Sequence, residues 1–470
     1  MGRTRSNIPP PEQCSRNHSP RMPRNPIVLI HGYSDSASAF DVWQGLLSAR
    51  GYDVTAIHAC NYRSLTNEVT IRDIAEGFDR ALAMRAGLDR DQPFDAIVHS
   101  TGMLVIRAWL AAYAGRRQRL KHLIGLAPAT FGSPLAHKGR SWLGALFKGS
   151  KELGPDFLEA GDRILDGLEL GGRFTWDLAH ADMLGDEVFY GPTKRTPFVF
   201  IFCGAGTYSG IRKLAQQDAS DGAVRWAGCA LNARKIVLDL TQDPVRPGSE
   251  TRITIAPWKN VDAPMIPVAG KNHSSILRNP GEELADLVES ALDVNSAPDY
   301  EAWYKSASRA TSATSRKMDQ WQQFVVRAID ERGDPITDYN VQLFTRTARG
   351  RESTVVPFDM KVHTYRGDPS LRCFHVNLSK VGMDRLENLW IRVMASSGSQ
   401  LVGYQGYGSG AGDEPSDPAD DGKWDAELDI SSLVDDVGLR FFYPFTTTLV
   451  ELRLNREPLP LSGVNQVCWF

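Results

Sequence analysis

The chain reads as an α/β protein followed by a β-rich segment, and three patterns carry that reading. Short apolar runs at 26–30, 54–58, 96–98, 122–127 and 197–204 alternate with amphipathic stretches. That alternation builds a mostly parallel sheet covered by helices on both faces. Beyond residue 320 the pattern becomes short alternating strands with turn residues between them, as in an all-β sandwich. Between the two regions, Glu282 to Val294 reads as a closing helix.

Composition narrows the function classes. Hydrophobic content of 42% and charged content of 23% are those of an ordinary globular protein. A net charge of -3 gives no electrostatic reason to expect a nucleic-acid partner. No apolar stretch approaches the roughly 20 residues needed to span a membrane. Met1 to Arg24 is rich in Pro, Asn, Ser and Arg, has no apolar h-region, and reads as a disordered lead-in. The expected location is the cytoplasm, or outside the cell by a route that uses no cleavable signal. The six cysteines, at 14, 60, 203, 229, 373 and 468, show no metal-site spacing. They read mainly as buried free thiols.

In chain order, Pro26 to Ile30 is a buried strand leading into His31-Gly32-Tyr33. Phe40 to Arg50 is a first helix and Val54 to His58 a second strand. Ile71 to Arg85 carries Ile71, Ile74, Phe78 and Leu82 at close to helical spacing. The next strand, Ala96-Ile97-Val98, runs through His99 into Ser100-Thr101-Gly102, and Met103 to Leu110 opens a helix. A serine on such a turn has its hydroxyl pushed out at the strand end. The Thr101 N–H then lies at a helix N-terminus, where an oxyanion can be held.

His122 to Ala127 is another buried strand, ending in a loop that contains Gly132-Ser133-Pro134. From about 137 to 190 the strand pattern pauses. Trp142, Leu143, Leu146 and Phe147 form one apolar cluster at helical spacing, and Phe157, Leu158, Ile164, Leu165 and Leu168 form a second. The sheet resumes at Pro197 to Gly204, followed by Ser220-Asp221-Gly222-Ala223-Val224. Arg252 to Ala256 is expected to be the last strand, and His273 sits in a short loop ahead of a helix. Tyr300 to Lys317 reads as a linker or a peripheral helix. Asp413, Glu414, Asp417, Asp420 and Asp421 fit a solvated acidic loop better than a calcium site, because their spacing matches no EF-hand. No metal and no cofactor is expected.

Val98-His99-Ser100-Thr101-Gly102 resembles the nucleophile elbow, G-x-S-x-G, of the α/β-hydrolase superfamily, with Val98 in place of the first glycine. Strand–His-Gly, Gly-Ser-Pro, Asp-Gly-x-Val and the late histidine follow in the order found in lipases and esterases of that superfamily. The resemblance implies Ser100 as nucleophile, His273 as base and Asp221 as acid. Asp218, Asp239, Asp243 and Asp262 are rivals for the last role. It also implies an oxyanion hole from the N–H groups of Tyr33 and Thr101. His31 and His99 are expected to be structural, with His99 facing away from the site. The insertion resembles a lid, with Trp142, Leu146 and Phe147 lining the substrate pocket.

The expected organisation is a tail (1–24), an α/β-hydrolase domain (25–298, lid-like insertion about 137–190), a linker (299–319) and a β-sandwich-like domain (320–470). The implied activity is a serine carboxylester hydrolase, lipase- or phospholipase-like, acting on lipid or other esters with contact at a membrane surface. Two alternatives stand beside it. One is a thioesterase or acyltransferase with the same triad. The other is a non-catalytic scaffold that binds through its C-terminal β domain.

Overall fold

The computed structural model describes residues 24–31, 40–57, 68–137, 162–193, 195–206, 218–243, 253–257, 263–354, 362–382, 386–399, 401–408, 415–416, 423–435 and 440–458. Six parallel strands form the first sheet in the order β2-β1-β3-β4-β5-β8. They are β1 (Ile27–Ile30), β2 (Val54–Ile57), β3 (Phe94–His99), β4 (Leu120–Leu126), β5 (Phe198–Gly204) and β8 (Met265–Val268). The central strands β1, β3 and β5 are buried along their whole length. Strands covered on both faces by helices need apolar residues at every position, so their sequences are runs and not alternations.

Three helices show how local sequence sets the flanks. Helix α1 (Asp41–Ala49) buries Trp43 and Leu47. Helix α2 (Ile71–Met84) starts at a capping box, where the Thr70 side chain accepts from the Asp73 N–H and Asp73 accepts from the Thr70 N–H. It buries Ile71, Ile74, Phe78 and Leu82 on one stripe. Helix α3 (Gly102–Ala112) is buried from Gly102 through Leu110. Its Trp109 meets Phe78 and Phe94 edge-on at 5.9 and 5.8 Å between ring centroids.

The segment expected as a linker or a peripheral helix contains a helix. Residues Ala297–Ala310 form a helix that buries Tyr300 and Trp303. Both the Tyr300 and Tyr304 hydroxyls donate to the Val199 carbonyl of β5. Three aromatic rings on one helical face are enough apolar surface to dock the segment against the sheet.

The β-rich part makes two further sheets. One has four antiparallel strands, β10 (Asp338–Arg346), β11 (Glu352–Thr354), β14 (Trp390–Ser396) and β17 (Lys423–Asp429), in the order β11-β10-β14-β17. The other has eight strands and is centred on β9 (Trp321–Asp330) and β18 (Thr447–Pro458). An apolar core lies between these two sheets, holding Phe324, Val326, Val341, Ile391, Val393, Leu428 and Leu452.

Two features of the eight-stranded sheet differ from expectation. Strand β7 (Ile253–Pro257), expected to close the first sheet, pairs instead with β6 (Ala233–Asp239). Strand β6 in turn runs parallel to β18, Ala233 opposite Thr447. The chain thus leaves the first sheet after β5, adds two strands to the second region, and returns to lay β8 beside β5. In addition, β9 has no solvent face over its first half: Phe324 and Val326 face the sandwich core, while Val325 belongs to the core around the first sheet. The sheet is a wall shared by both cores. Among the described residues, no helix is long and apolar enough to cross a membrane.

Candidate active site

Ser100 stands at the C-terminal end of the central strand β3, with φ at 54°. A non-glycine residue in the left-handed region is strained, and such strain persists only where neighbours hold it. Here they do: the Ser100 carbonyl accepts from Ala129 N–H at 3.0 Å and Met103 N–H at 3.2 Å. The following helix comes in close. A Cβ on Gly102 would lie 2.6 Å from the Ile30 carbonyl oxygen, so only glycine fits at that position.

The departure from the elbow pattern at Val98 has a counterpart across the ladder. Val98 is paired with Gly125 of β4, whose side-chain position points to the same face. A Cβ on Gly125 would meet Met103 Cε at 3.0 Å and Pro128 Cγ at 2.9 Å. The space that the elbow helix needs is therefore left open on the neighbouring strand, and Val98 is fully buried beside it.

Asp221 is held by its own turn. Ser220 bridges to Arg225 across the loop, and Gly222 supplies the positive φ of 109° that the turn requires. Asp221 Oδ1 accepts from the N–H groups of Ala223 (3.0 Å) and Val224 (2.8 Å). The Gly-Ser-Pro loop braces the same turn, with Ser133 Oγ donating to the Ala223 carbonyl at 2.6 Å.

His273 follows β8 on a loop shaped by Asn272, whose Oδ1 accepts from Ser274 and Ser275 N–H. Its backbone N–H donates to the Asp221 carbonyl at 2.9 Å. Its ring closes a continuous chain: Nδ1 lies 2.8 Å from Asp221 Oδ2, and Nε2 lies 3.1 Å from Ser100 Oγ. A carboxylate only accepts, so Nδ1 carries the proton and Nε2 is free to accept from the serine hydroxyl. Ser100 is 3% exposed, and Asp221 and His273 are 0% exposed. Charge developing in such a site is poorly screened, which strengthens each of these contacts.

Of the sequence-predicted residues, the structure brings Ser100, Asp221 and His273 together and places Thr101, buried, as the residue before helix α3. Tyr33, Trp142, Leu146 and Phe147 lie outside the described residues. Among the rivals to Asp221, Asp239 lies on β6 and caps Thr241, while Asp262 lies outside the described residues. His99 corrects the expectation that it faces away. Its Nε2 lies 2.9 Å from the His273 carbonyl, and the two imidazole rings are 4.8 Å apart. Cys203 is a second residue that sequence reading treated only as a buried thiol: its Sγ lies 3.7 Å from Asp221 Oδ2. Nothing in the local sequence marks it, since the contact spans 18 residues of chain. Cys203, Cys229 and Cys373 are buried free thiols, as expected, and Cys14, Cys60 and Cys468 lie outside the described residues. Among the described residues, no group of three or more His, Cys, Asp or Glu side chains is placed to hold a metal ion.

No family model and no curated protein matches this sequence. Solved structures do match its shape. Phospholipase PlaB from Legionella pneumophila superposes with a TM-score of 0.73 at 22% identity, over 93% of this chain and 96% of that one. A structure of the same phospholipase in complex with thio-NAD gives the same figures. Lipase BlEst2 from Bacillus licheniformis, in mature form, covers 58% of this chain and 93% of its own, with a TM-score of 0.39 and 16% identity. The match to PlaB spans 93% of this chain, the parallel sheet and the β-rich region alike, and this chain therefore has an α/β-hydrolase fold extended by a β-sandwich-like region.

Proposed function

We propose that this protein is a serine carboxylester hydrolase of lipid esters, acting through an acyl-enzyme on Ser100. The observation that carries this reading is the unbroken buried chain from Ser100 Oγ through His273 to Asp221 Oδ2. In this reading His273 takes the Ser100 proton as the hydroxyl attacks the ester carbonyl, and gives it to the leaving alcohol. Asp221 fixes the tautomer and steadies the imidazolium. The N–H of Thr101 at the start of α3 holds the oxyanion, with the Tyr33 N–H as second donor. Water, activated by the same imidazole, then releases the acid.

A phospholipid is the substrate class we favour. The similarity in fold to a protein described as a phospholipase supports it. So does a cleft of about 1060 Å³ between the start of α2, the helix Asp162–Leu168 and the turn after Tyr365. Ala136, three residues beyond the Ser133 that braces the Asp221 turn, lines this cleft as well. Arg72, Arg163 and Arg366 line this cleft beside Glu68 and Asp166, a mixture suited to a headgroup carrying both charges. Trp142, Leu146 and Phe147 would then belong to a lid that meets acyl chains at a membrane surface.

The test is hydrolysis of p-nitrophenyl esters from acetate to palmitate, and of phosphatidylcholine vesicles against triacylglycerol emulsion, by wild type and Ser100→Ala. Loss of about 10⁴-fold or more in the variant is expected, with turnover of phosphatidylcholine exceeding that of triacylglycerol. A wild type that hydrolyses none of these and resists a fluorophosphonate would leave the reading without a nucleophile.

A further inference from the structure

The acid of the triad has a fourth contact that the ester-hydrolase reading does not use. Asp221 Oδ1 is occupied by two backbone N–H groups, and Oδ2 by His273 Nδ1. The remaining approach to Oδ2 is taken by Cys203 Sγ, at 3.7 Å, from the buried strand β5. Cys203 is itself directed. Cys229 Sγ lies 3.2 Å from Cys203 Sγ, and the Cys229 carbonyl accepts from Thr130 Oγ1. Both sulfurs are 0% exposed.

We propose that Cys203 is a positioning residue for the acid of the triad, its thiol donating to Asp221 Oδ2 while Cys229 donates to Cys203. This rests on the reading of Ser100, His273 and Asp221 as a triad. Two things support the direction of the bonds. Burial, together with the neighbouring Cys229 thiol and the Asp221 charge, pushes the Cys203 thiol well above its ordinary value, so it stays protonated and donates. Burial likewise raises the Cys229 thiol. A thiol is a weak donor in water, but both partners are buried here, where a hydrogen bond is electrostatically stronger. The thiol also suits the place for a second reason: it contacts the same oxygen as His273, so it opposes rotation of the carboxylate away from the ring. The other groups facing this pair are His99 from β3, through the His273 carbonyl, and Ser100.

The chemistry has a sign. Without the S–H, the carboxylate loses a donor and holds the His273 N–H more strongly. The imidazolium is then favoured, and the acid limb of kcat/KM moves to higher pH. A looser carboxylate also lowers kcat.

The experiment measures kcat and KM for p-nitrophenyl butyrate from about pH 5 to 9, with wild type, Cys203→Ala, Cys203→Ser and Cys229→Ala. Fluorophosphonate labelling of Ser100 is followed in each. Cys203→Ala is expected to lower kcat about threefold to tenfold, the scale of one hydrogen bond, with KM little changed and the acid limb raised. Cys203→Ser keeps a donor and recovers most of the rate and the limb. Cys229→Ala shifts both in the same direction by less. A purely packing role would give Ala and Ser variants with equal losses and an unmoved acid limb, and that result overturns the proposal, as does a folded Cys203→Ala with wild-type kcat. Should Cys203→Ala fail to fold, an unmoved acid limb in Cys229→Ala overturns it as well. Absence of Ser100 labelling in the wild type marks a different failure, that of the triad itself.

Discussion

Replacing Asp182 with alanine should be among the most costly single changes in this protein. Asp182, at the end of the helix Arg173–Asp182, is fully buried with Arg107 of α3. The guanidinium binds it through two arms, Nε to Oδ2 at 2.7 Å and Nη2 to Oδ1 at 3.0 Å, and donates its third to the Thr130 carbonyl. The Tyr190 hydroxyl adds a bond to Oδ2 at 2.6 Å. Burial alone would lower the Arg107 pKa, but the Asp182 charge and hydrogen bonds outweigh it and raise it, so the guanidinium stays charged. Removing the carboxylate leaves a guanidinium in the interior with no counter-charge, at a cost of about 3–5 kcal/mol. Replacing both partners by apolar residues, Arg107→Met with Asp182→Leu, removes the stranded charge. That double variant should therefore be more stable than Asp182→Ala alone, even though Thr130 loses its donor. Urea unfolding followed by tryptophan fluorescence gives both numbers, provided the slope with urea is unchanged. Because Arg107 sits on the helix that follows Ser100, fluorophosphonate labelling should slow in the single variant. A cost below about 1 kcal/mol for Asp182→Ala, or a double variant weaker than the single one, would refute the reasoning.

Gly102→Ala should damage activity more than stability: its Cβ would meet the Ile30 carbonyl at 2.6 Å and push the end of β1 and the start of α3, beside Ser100, apart. A displacement near 1 Å at such a place costs about 10²-fold in kcat, read from p-nitrophenyl ester turnover. The His122–Asp95 pair predicts a pH dependence of stability. Burial lowers the His122 pKa, but the Asp95 charge and hydrogen bond more than compensate and leave it raised. A raised histidine contributes stability that is fully present below its unfolded value of 6.5 and is lost as pH rises through the higher folded value. The urea midpoint should thus fall across that window, and Asp95→Asn should flatten the fall.

Much of the first sheet was legible because its signals are local. A buried parallel strand is a continuous apolar run, a helix an apolar stripe, and the Ser100 turn is marked by a strand before it and Gly102 after it. The pattern Asp221-Gly222 was readable for the same reason, since Gly222 supplies a backbone conformation that other residues avoid. Val98 shows the limit of such reading. Taken alone it breaks the elbow pattern, and only the pairing with Gly125 shows where the missing space is found.

What the sequence determined by itself is the first five strands of the parallel sheet with the helices between them, in order, and a short list of chemically suited residues with Ser, Asp and His in sequence; β6 and β8 were not among the strands it marked. The tertiary structure decided everything that depends on contacts between distant segments. Strand β7 was recognisable as a strand, yet hydrogen bonds with β6 and not position in the chain place it in the second region. A strand's periodicity records which faces are buried, not against what, so β9 could not announce that it separates two cores. In the same way His99 and Cys203 carry no local mark. Their contacts with His273 and Asp221 join residues 174 and 18 positions apart, and only folding brings those atoms within reach.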